Sequence, residues 1–363
     1  MSSIMERMKK ASFVESAAAL SHSEFFKGTD LVAMPVYMMN VAFSGTLDGG
    51  FMRGLHQLAG PSKHFKSNMA LVLCKAFQDK YPDGIILFYD SEFGATPEYF
   101  ETAGIDNTRV FHIPITNIEE LNFDLNKKLD ELTKKDRVMI FVDSIGNLAS
   151  KKEVEDVKNE KSVGDMTRAK TLKSLFRIVT PKLTTKDIPM VCINHTYDTQ
   201  EMYSKKVVSG GTGIEYSSHT VLIIGKRQVK EGTELLGFEF VLNVNKSRFI
   251  KEKSAIPITV TYDGGVDRFS GLLDVALETG HVLKPKNGWF TRPSVVGDRN
   301  WRRADTSSDD FWDPLVNDQS FKDAVQQMFS LTSPKTFTID AEDGVEVVDG
   351  VRINKATGEI VED

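Results

Sequence analysis

The sequence predicts an α/β fold with a mostly parallel central sheet, and three observations predict it. Four apolar runs, Ile85–Tyr89, Val138–Val142, Met190–Ile193 and Val221–Ile224, are short and unbroken, as strands buried on both faces are. Between them lie stretches with helical spacing, Ser67–Asp79, Ile118–Leu132 and Met166–Thr180. Strands and helices in alternation build crossover connections between parallel strands. The third observation is Leu58–Ser67, LAGPSKHFKS, which joins an apolar run to a helix expected to open near Asn68.

That stretch reads as a phosphate-binding loop made of Gly60, Pro61, Ser62, Lys63, His64, Phe65, Lys66 and Ser67. Successive backbone N–H groups of such a loop point at phosphate oxygens, and the following helix adds its positive end. Lys66, expected on a solvent-facing loop, would reach the β- and γ-phosphates, and the Ser67 hydroxyl would ligate Mg²⁺. The pattern G-x-x-x-x-G-K-[ST] has glycine where this chain has Phe65, and a bulky residue resists positive φ. An ordinary strand–turn–helix fits the loop alone as well.

At 363 residues the chain is long for one domain, so a core with smaller flanking pieces is expected. With 40% hydrophobic and 26% charged residues it has the composition of a soluble globular protein, and no apolar stretch is long enough to span a bilayer. Glu15 interrupts the apolar run after Lys9-Lys10, which favours an amphipathic helix over a signal peptide. The two cysteines, Cys74 and Cys192, stand in no metal or redox spacing and read as reduced core thiols. From Asp340 onward eight acids face only Arg352 and Lys355, so the tail carries the whole net charge of −6. Such a tail is a solvated end or a competitor of an anionic partner for a basic site.

The segments follow from these shifts. Residues 1–30 are expected to form a helical oligomerisation segment that docks on a neighbour, with apolar positions at Phe13, Ala17, Leu20 and Phe25-Phe26. Residues 31–268 form the core. Residues 269–333, small and mixed around Trp289, Trp301 and Trp312, read as a small C-terminal α/β domain, and 334–363 as an acidic, disordered tail.

Two strands end in acids. Asp143 closes Val138–Val142, where a carboxylate can hold the Mg²⁺ that bridges two phosphates. Glu92 follows Phe88-Tyr89-Asp90-Ser91, where a carboxylate can deprotonate an attacking water; a solvated loop acid is the plain alternative. Tyr99 is either a base-stacking ring or core. The order of these motifs resembles the RecA-type strand-exchange recombinases, and most closely their phage branch, the UvsX recombinases of T-even bacteriophages. The resemblance spans roughly residues 30–330 through GPSKHFKS, YDSEFGATPEY, FVDSIGNLASKKE, MTRAKTLKSLFRIVTP, INHTYDTQEM, SGGTG and NKSRFIKEKS. The phage members are similar in carrying Phe at the loop glycine.

The resemblance implies a RecA-like phosphate-loop ATPase core that uses ATP and Mg²⁺. It implies that Lys66 and Ser67 are the phosphate-loop pair, Asp143 the Mg²⁺-associated acid, Glu92 the catalytic glutamate and Tyr99 the adenine-stacking ring. His195 falls where the cellular family senses the γ-phosphate. Lys246 and Arg248 match the basic pair that crosses to the γ-phosphate of the neighbouring protomer. For DNA there are two candidate loops. One leads into Arg168, Lys170, Lys173 and Arg177, a basic face beside the apolar stripe Ala169, Leu172 and Phe176. The other, Thr196–Gly213, offers Tyr197, Tyr203, Lys205, Lys206, Gly210 and Gly211, the cations, rings and bare backbone that single strands bind.

The function implied is an ATP-dependent recombinase that polymerises on single-stranded DNA, forms a helical filament and pairs it with homologous duplex DNA. Its expected partners are itself, a single-strand-binding protein and a recombination mediator, in the cytoplasm of a phage-infected bacterial host and with no membrane. A ring-forming helicase on the same core, or a mediator without turnover, are the alternatives. The Lys246-Ser247-Arg248 pattern and the N-terminal helix favour a filament over the ring, and retention of Glu92, Lys246 and Arg248 speaks against the mediator.

Overall fold

The structure is a computed structural model; it describes residues 4–14, 16–23, 30–159, 167–199 and 206–331, together with the backbone of 345–348 and 351–354. Among the described residues of the N-terminal segment, Ile4–Ala11 (α1) are helical, with one further turn at Leu20–His22. The Ser12 hydroxyl accepts from the Val14 N–H at 3.1 Å, a local bond that competes with helix continuation. Ile4, Met5, Met8 and Phe13 are exposed.

The core follows as α2 (Tyr37–Ser44), β1 (Gly54–Ala59), α3 (Lys66–Lys80), β2 (Ile85–Asp90), α4 (Pro97–Thr102), β3 (Val110–Pro114), α5 (Ile118–Glu131), β4 (Val138–Asp143), α6 (Lys151–Lys158), α7 (Thr167–Lys186) and β5 (Pro189–Asn194). A short ribbon, β6 (Thr196–Asp198) with β7 (Lys206–Val208), leads to α8 (Thr212–Ser217). Then come β8 (Thr220–Glu231), β9 (Glu234–Ser247), β10 (Ala255–Thr261) and β11 (Gly265–Val266). One nine-stranded sheet runs β11-β10-β9-β8-β1-β5-β4-β2-β3. From β8 to β3 every pairing is parallel, and β9 to β11 extend it antiparallel.

Alternation along each strand divides the core into two layers. On β4, Met139 and Phe141 face the layer that holds α3 residues Met69, Leu73 and Phe77. Val138, Ile140 and Val142 face the layer that holds Leu121, Leu125 and Leu129 of α5 and Leu172 and Phe176 of α7. Three elements run past their expected ends. α3 opens at Lys66 rather than near Asn68. α7 continues through Pro181 to Lys186, because buried Val179 and Leu183 extend its apolar stripe across the residue where proline suggested a stop. The run Val221–Ile224 is only the start of β8, whose partly exposed, charged half pairs with β9 and carries no continuous apolar signal.

The small C-terminal domain holds α9 (Leu272–Glu278), β12 (Leu283–Lys286), β13 (Trp289–Thr291), β14 (Trp301–Arg302), α10 (Asp309–Val316) and α11 (Gln319–Phe329). Its Trp301, Trp312 and Phe321 join the same buried layer as α2 and α3. Where the sequence reads as a disordered tail, β15 (Val345–Val348) pairs antiparallel with β16 (Val351–Asn354). The two-residue Asp349-Gly350 link between alternating valines is the hairpin signal that charge counting passes over. Among the described residues, no helix is long and apolar enough to cross a membrane.

Candidate active site

The carboxyl ends of the parallel strands bring the site together. β1 ends at Ala59, and an added Cβ on Gly60 would meet the Ile224 carbonyl at 3.0 Å, so the loop leaves the sheet with little room. Its turn uses two left-handed residues, Lys63 (φ 61°) and Phe65 (φ 61°, ψ 18°). That conformation costs an L-residue about 1–2 kcal/mol. The Phe65 ring stacks on Phe240 at 4.8 Å between centroids and 17° between planes, and such a pair contributes about 0.5–1.5 kcal/mol. The Lys63 carbonyl accepts from Lys226 Nζ at 3.3 Å, and the same ammonium lies 3.7 Å from the Phe238 ring centre. α3 begins with no capping side chain and no acid in its first turn. α5, by contrast, is capped by Asn117 and carries Glu119 and Glu120 there. The open N–H groups of α3 therefore face the loop as an anion-binding end.

Three charges converge on that end. Lys66 is 7% exposed, not solvent-facing as expected, and donates from Nζ to the Pro61 carbonyl at 2.8 Å. Burial lowers its pKa, and the nearby Glu92 and Asp143 oppose that shift. Asp143, also 7% exposed, has its pKa pushed up to about 6, first by burial and further by Glu92 and Asp90; a hydrogen bond from Ser67 and the Lys66 charge act the other way. Its Oδ1 is buried without a hydrogen-bond partner among the described residues. A hydroxyl beside an unsatisfied carboxylate oxygen fits Mg²⁺, which takes one or two protein oxygens and completes its shell with phosphates and water. Among the described residues no cluster of three or more His, Cys, Asp or Glu could hold a metal ion by protein ligands alone.

Glu92 follows β2 in a loop fixed by Asp90, whose Oδ1 accepts the N–H groups of Glu92 at 3.0 Å and Phe93 at 2.8 Å. Two donors meet Glu92 Oε1, Ser144 Oγ at 2.8 Å and Asn147 Nδ2 at 3.1 Å, and His195 Nε2 lies 3.5 Å from the same oxygen. Ser144 is itself locked to Ser91, which donates to its carbonyl at 2.7 Å and accepts its N–H at 2.9 Å. No hydrogen bond or ion pair engages Oε2 among the described residues, so one oxygen of the carboxylate stays free to take a proton. Sequence reasoning gave Asp90, Ser144 and Asn147 no role. They were legible only as neighbours of Glu92 and Asp143 in quoted motifs, and their meeting depends on β2 lying beside β4. His195 leaves β5 with its N–H bonded to Asn194 Oδ1 at 2.9 Å, close against Gly146, where any Cβ would come within 2.3 Å of the imidazole.

Tyr99, on α4, lines a 290 Å³ groove with Phe65, Asn68, Val72, Thr102 and Ala103, beside the loop. Lys246 and Arg248 are not brought to this edge. Lys246 pairs with Val221, which pairs with Gln57, and Arg248 continues toward the opposite edge with its N–H on the His219 carbonyl at 3.1 Å. Lys246 Nζ instead donates to the carbonyls of Glu215 (2.7 Å) and Tyr216 (2.9 Å) of α8.

The expected DNA residues divide. Lys170, Lys173 and Arg177 are exposed along α7. Arg168 turns inward, donating to the carbonyls of Leu148 (2.8 Å), Ile145 (3.0 Å) and Gly146 (3.1 Å) and to Ser209 Oγ (3.4 Å). Tyr197 is exposed on β6, and Lys206 on β7 pairs with Asp198 at 3.3 Å. Gly210 and Gly211 take φ of 97° and 80° just before α8. Tyr203 and Lys205 lie outside the described residues.

A family model for the RecA N-terminal domain matches residues 4–267. The chain belongs to the RecA family. A second model, described as the C-terminal domain of the bacteriophage T4 recombination and repair protein, matches residues 269–325. The Recombination and repair protein of Enterobacteria phage T4 is 52% identical over 339 residues, covering 91% of this chain and 87% of that protein. Protein RecA of Thermus aquaticus is 25% identical over 303 residues, covering 79% and 86%. Protein RecA of Pseudarthrobacter chlorophenolicus is 24% identical over 302 residues, covering 78% and 82%. As a RecA family member with this phage relative, the chain is a recombinase, and the phage resemblance read from its motifs holds.

Proposed function

We propose that this recombinase is a DNA-dependent ATPase that polymerises on single-stranded DNA as a helical filament and exchanges strands with homologous duplex DNA. The observation that carries the reading is the convergence of Lys66, Ser67, Asp143 and Glu92 on the uncapped end of α3. Lys66 and the α3 N–H groups hold the β- and γ-phosphates of ATP, and the apolar groove takes the base against Tyr99. Mg²⁺, held by Ser67 and Asp143, supplies charge neutralisation on those phosphates. Glu92, fixed through Oε1, accepts a proton from water at Oε2 as the water oxygen attacks the γ-phosphorus and ADP leaves. His195 touches that carboxylate and leads directly into β6, which suits a sensor that passes the state of the γ-phosphate to the second DNA loop.

Lys246 and Arg248, directed away from their own phosphate loop, serve the γ-phosphate of the next protomer, where cations supplied in trans stabilise transition-state charge. Contacts of this head-to-tail kind that do not close generate a helix; the exposed apolar residues of α1 supply another. Lys170, Lys173 and Arg177 track the DNA backbone. A single-strand-binding protein and a recombination mediator fit such a filament as partners, in the cytoplasm of an infected bacterium.

The test is ATP hydrolysis with and without single-stranded DNA, with electron microscopy of the same mixtures. Stimulated turnover with helical filaments is expected. Closed rings would refute the filament, and bound nucleotide without turnover would refute the ATPase.

A further inference from the structure

The phosphate-loop pattern has glycine at the place of Phe65 because the turn needs positive φ, and Phe65 adopts that conformation in spite of its side chain. We propose that Phe240 is a positioning residue for nucleotide binding: its ring, stacked on Phe65, holds the phosphate loop in the left-handed turn that glycine would otherwise supply. The inference rests on the nucleotide reading above.

Phe240 is 4% exposed and sits in the middle of β9, paired with Lys226 of β8 on one side and Ile258 of β10 on the other. Its ring is therefore a fixed surface. Phe238, two residues earlier and so on the same face, carries the Lys226 ammonium that bonds the Lys63 carbonyl. One face of the β8–β9 ribbon thus grips both left-handed residues of the loop, Lys63 and Phe65. Phe65 also lines the groove beside Tyr99, so a shift of its ring disturbs the phosphate cradle and the base wall together. Among the described residues its ring contacts are with Phe65, Phe238 and Lys226, on the loop side of the site, so its influence falls on binding and not on the chemical step.

The experiment compares Phe240→Leu, Phe65→Gly and the double variant by Mg²⁺-dependent binding of a fluorescent ATP analogue and by steady-state hydrolysis. Phe240→Leu should weaken binding and raise KM by about tenfold, the factor set by releasing a left-handed non-glycine residue, with kcat nearly unchanged. With glycine at position 65 no Cβ opposes the turn, so adding Phe240→Leu there should change affinity by less than about twofold. An equal loss in both backgrounds would make Phe240 an ordinary core residue and overturn the inference, as would unchanged binding in Phe240→Leu. Hydrogen exchange of the loop amides in nucleotide-free chains separates this inference from the reading beneath it. Faster exchange in Phe240→Leu supports the positioning role even if the wild-type chain binds no nucleotide, and unchanged exchange refutes it.

Discussion

Replacing Ser144 with alanine is the sharpest probe of the carboxylate proposed to activate water, Glu92. Ser144 is fully buried, and its hydroxyl makes the shortest of the three contacts to Glu92 Oε1. Its backbone is held independently by Ser91, so removing one oxygen leaves the local chain in place. A hydrogen bond to a charged group contributes about 1.5–3 kcal/mol. Glu92 is 38% exposed, and Asn147 and His195 remain on the same oxygen, so the lower end applies. About 1.4 kcal/mol is a tenfold change in rate. We expect kcat for DNA-stimulated hydrolysis to fall about tenfold while KM for ATP stays within about twofold, since Ser144 lies on the Glu92 side and not on the phosphate side. Steady-state kinetics at saturating single-stranded DNA measures both. An unchanged kcat, or a rise in KM with kcat intact, would refute the claim that these donors aim Oε2 at water.

Three further outcomes follow from the same site. Lys66→Ala should lower affinity for the ATP analogue at least about a hundredfold, losing a buried charge-assisted contact, with little change in melting temperature because burial already disfavours that ammonium. With its pKa raised from 3.8 to about 6, Asp143 destabilises the metal-free chain fully above about pH 6, and this penalty shrinks as pH falls from there and is gone only below 3.8, where the carboxyl is protonated in both states. Asp143→Asn should therefore raise the melting temperature of the metal-free chain at pH 7.5, by a margin that shrinks on acidification, while ending Mg²⁺-dependent turnover; a margin independent of pH would disprove the assignment. Lys246→Ala alone and Glu92→Gln alone should each lack DNA-stimulated hydrolysis, and mixing the two should restore part of it, because mixed interfaces join an intact Glu92 to an intact Lys246. Failure of the mixture to recover would place Lys246 in its own subunit's site or outside catalysis.

The sequence by itself determined the parallel sheet, the loop between β1 and α3 and the carboxylates at the strand ends. Each of these rests on a local cause: continuous apolar runs, a strand–loop–helix pattern, an acid closing a strand. It also carried the family through motif order. Tertiary structure alone decided what the local pattern cannot encode. That Ser144, Asn147 and His195 meet one oxygen of Glu92 depends on β2, β4 and β5 lying in sequence across the sheet. That Lys66 is buried, and Asp143 hard to ionise, depends on what packs over them, because desolvation is a property of the surroundings and not of the residue. Arg168 reads from its spacing as one more cation on a basic helix face, yet its guanidinium is spent on three backbone carbonyls of the loop after β4. Phe65 shows the limit most plainly. Its sequence context predicts strain, and only a ring 175 residues away along the chain, Phe240 of β9, supplies the contact that makes the strained turn tolerable.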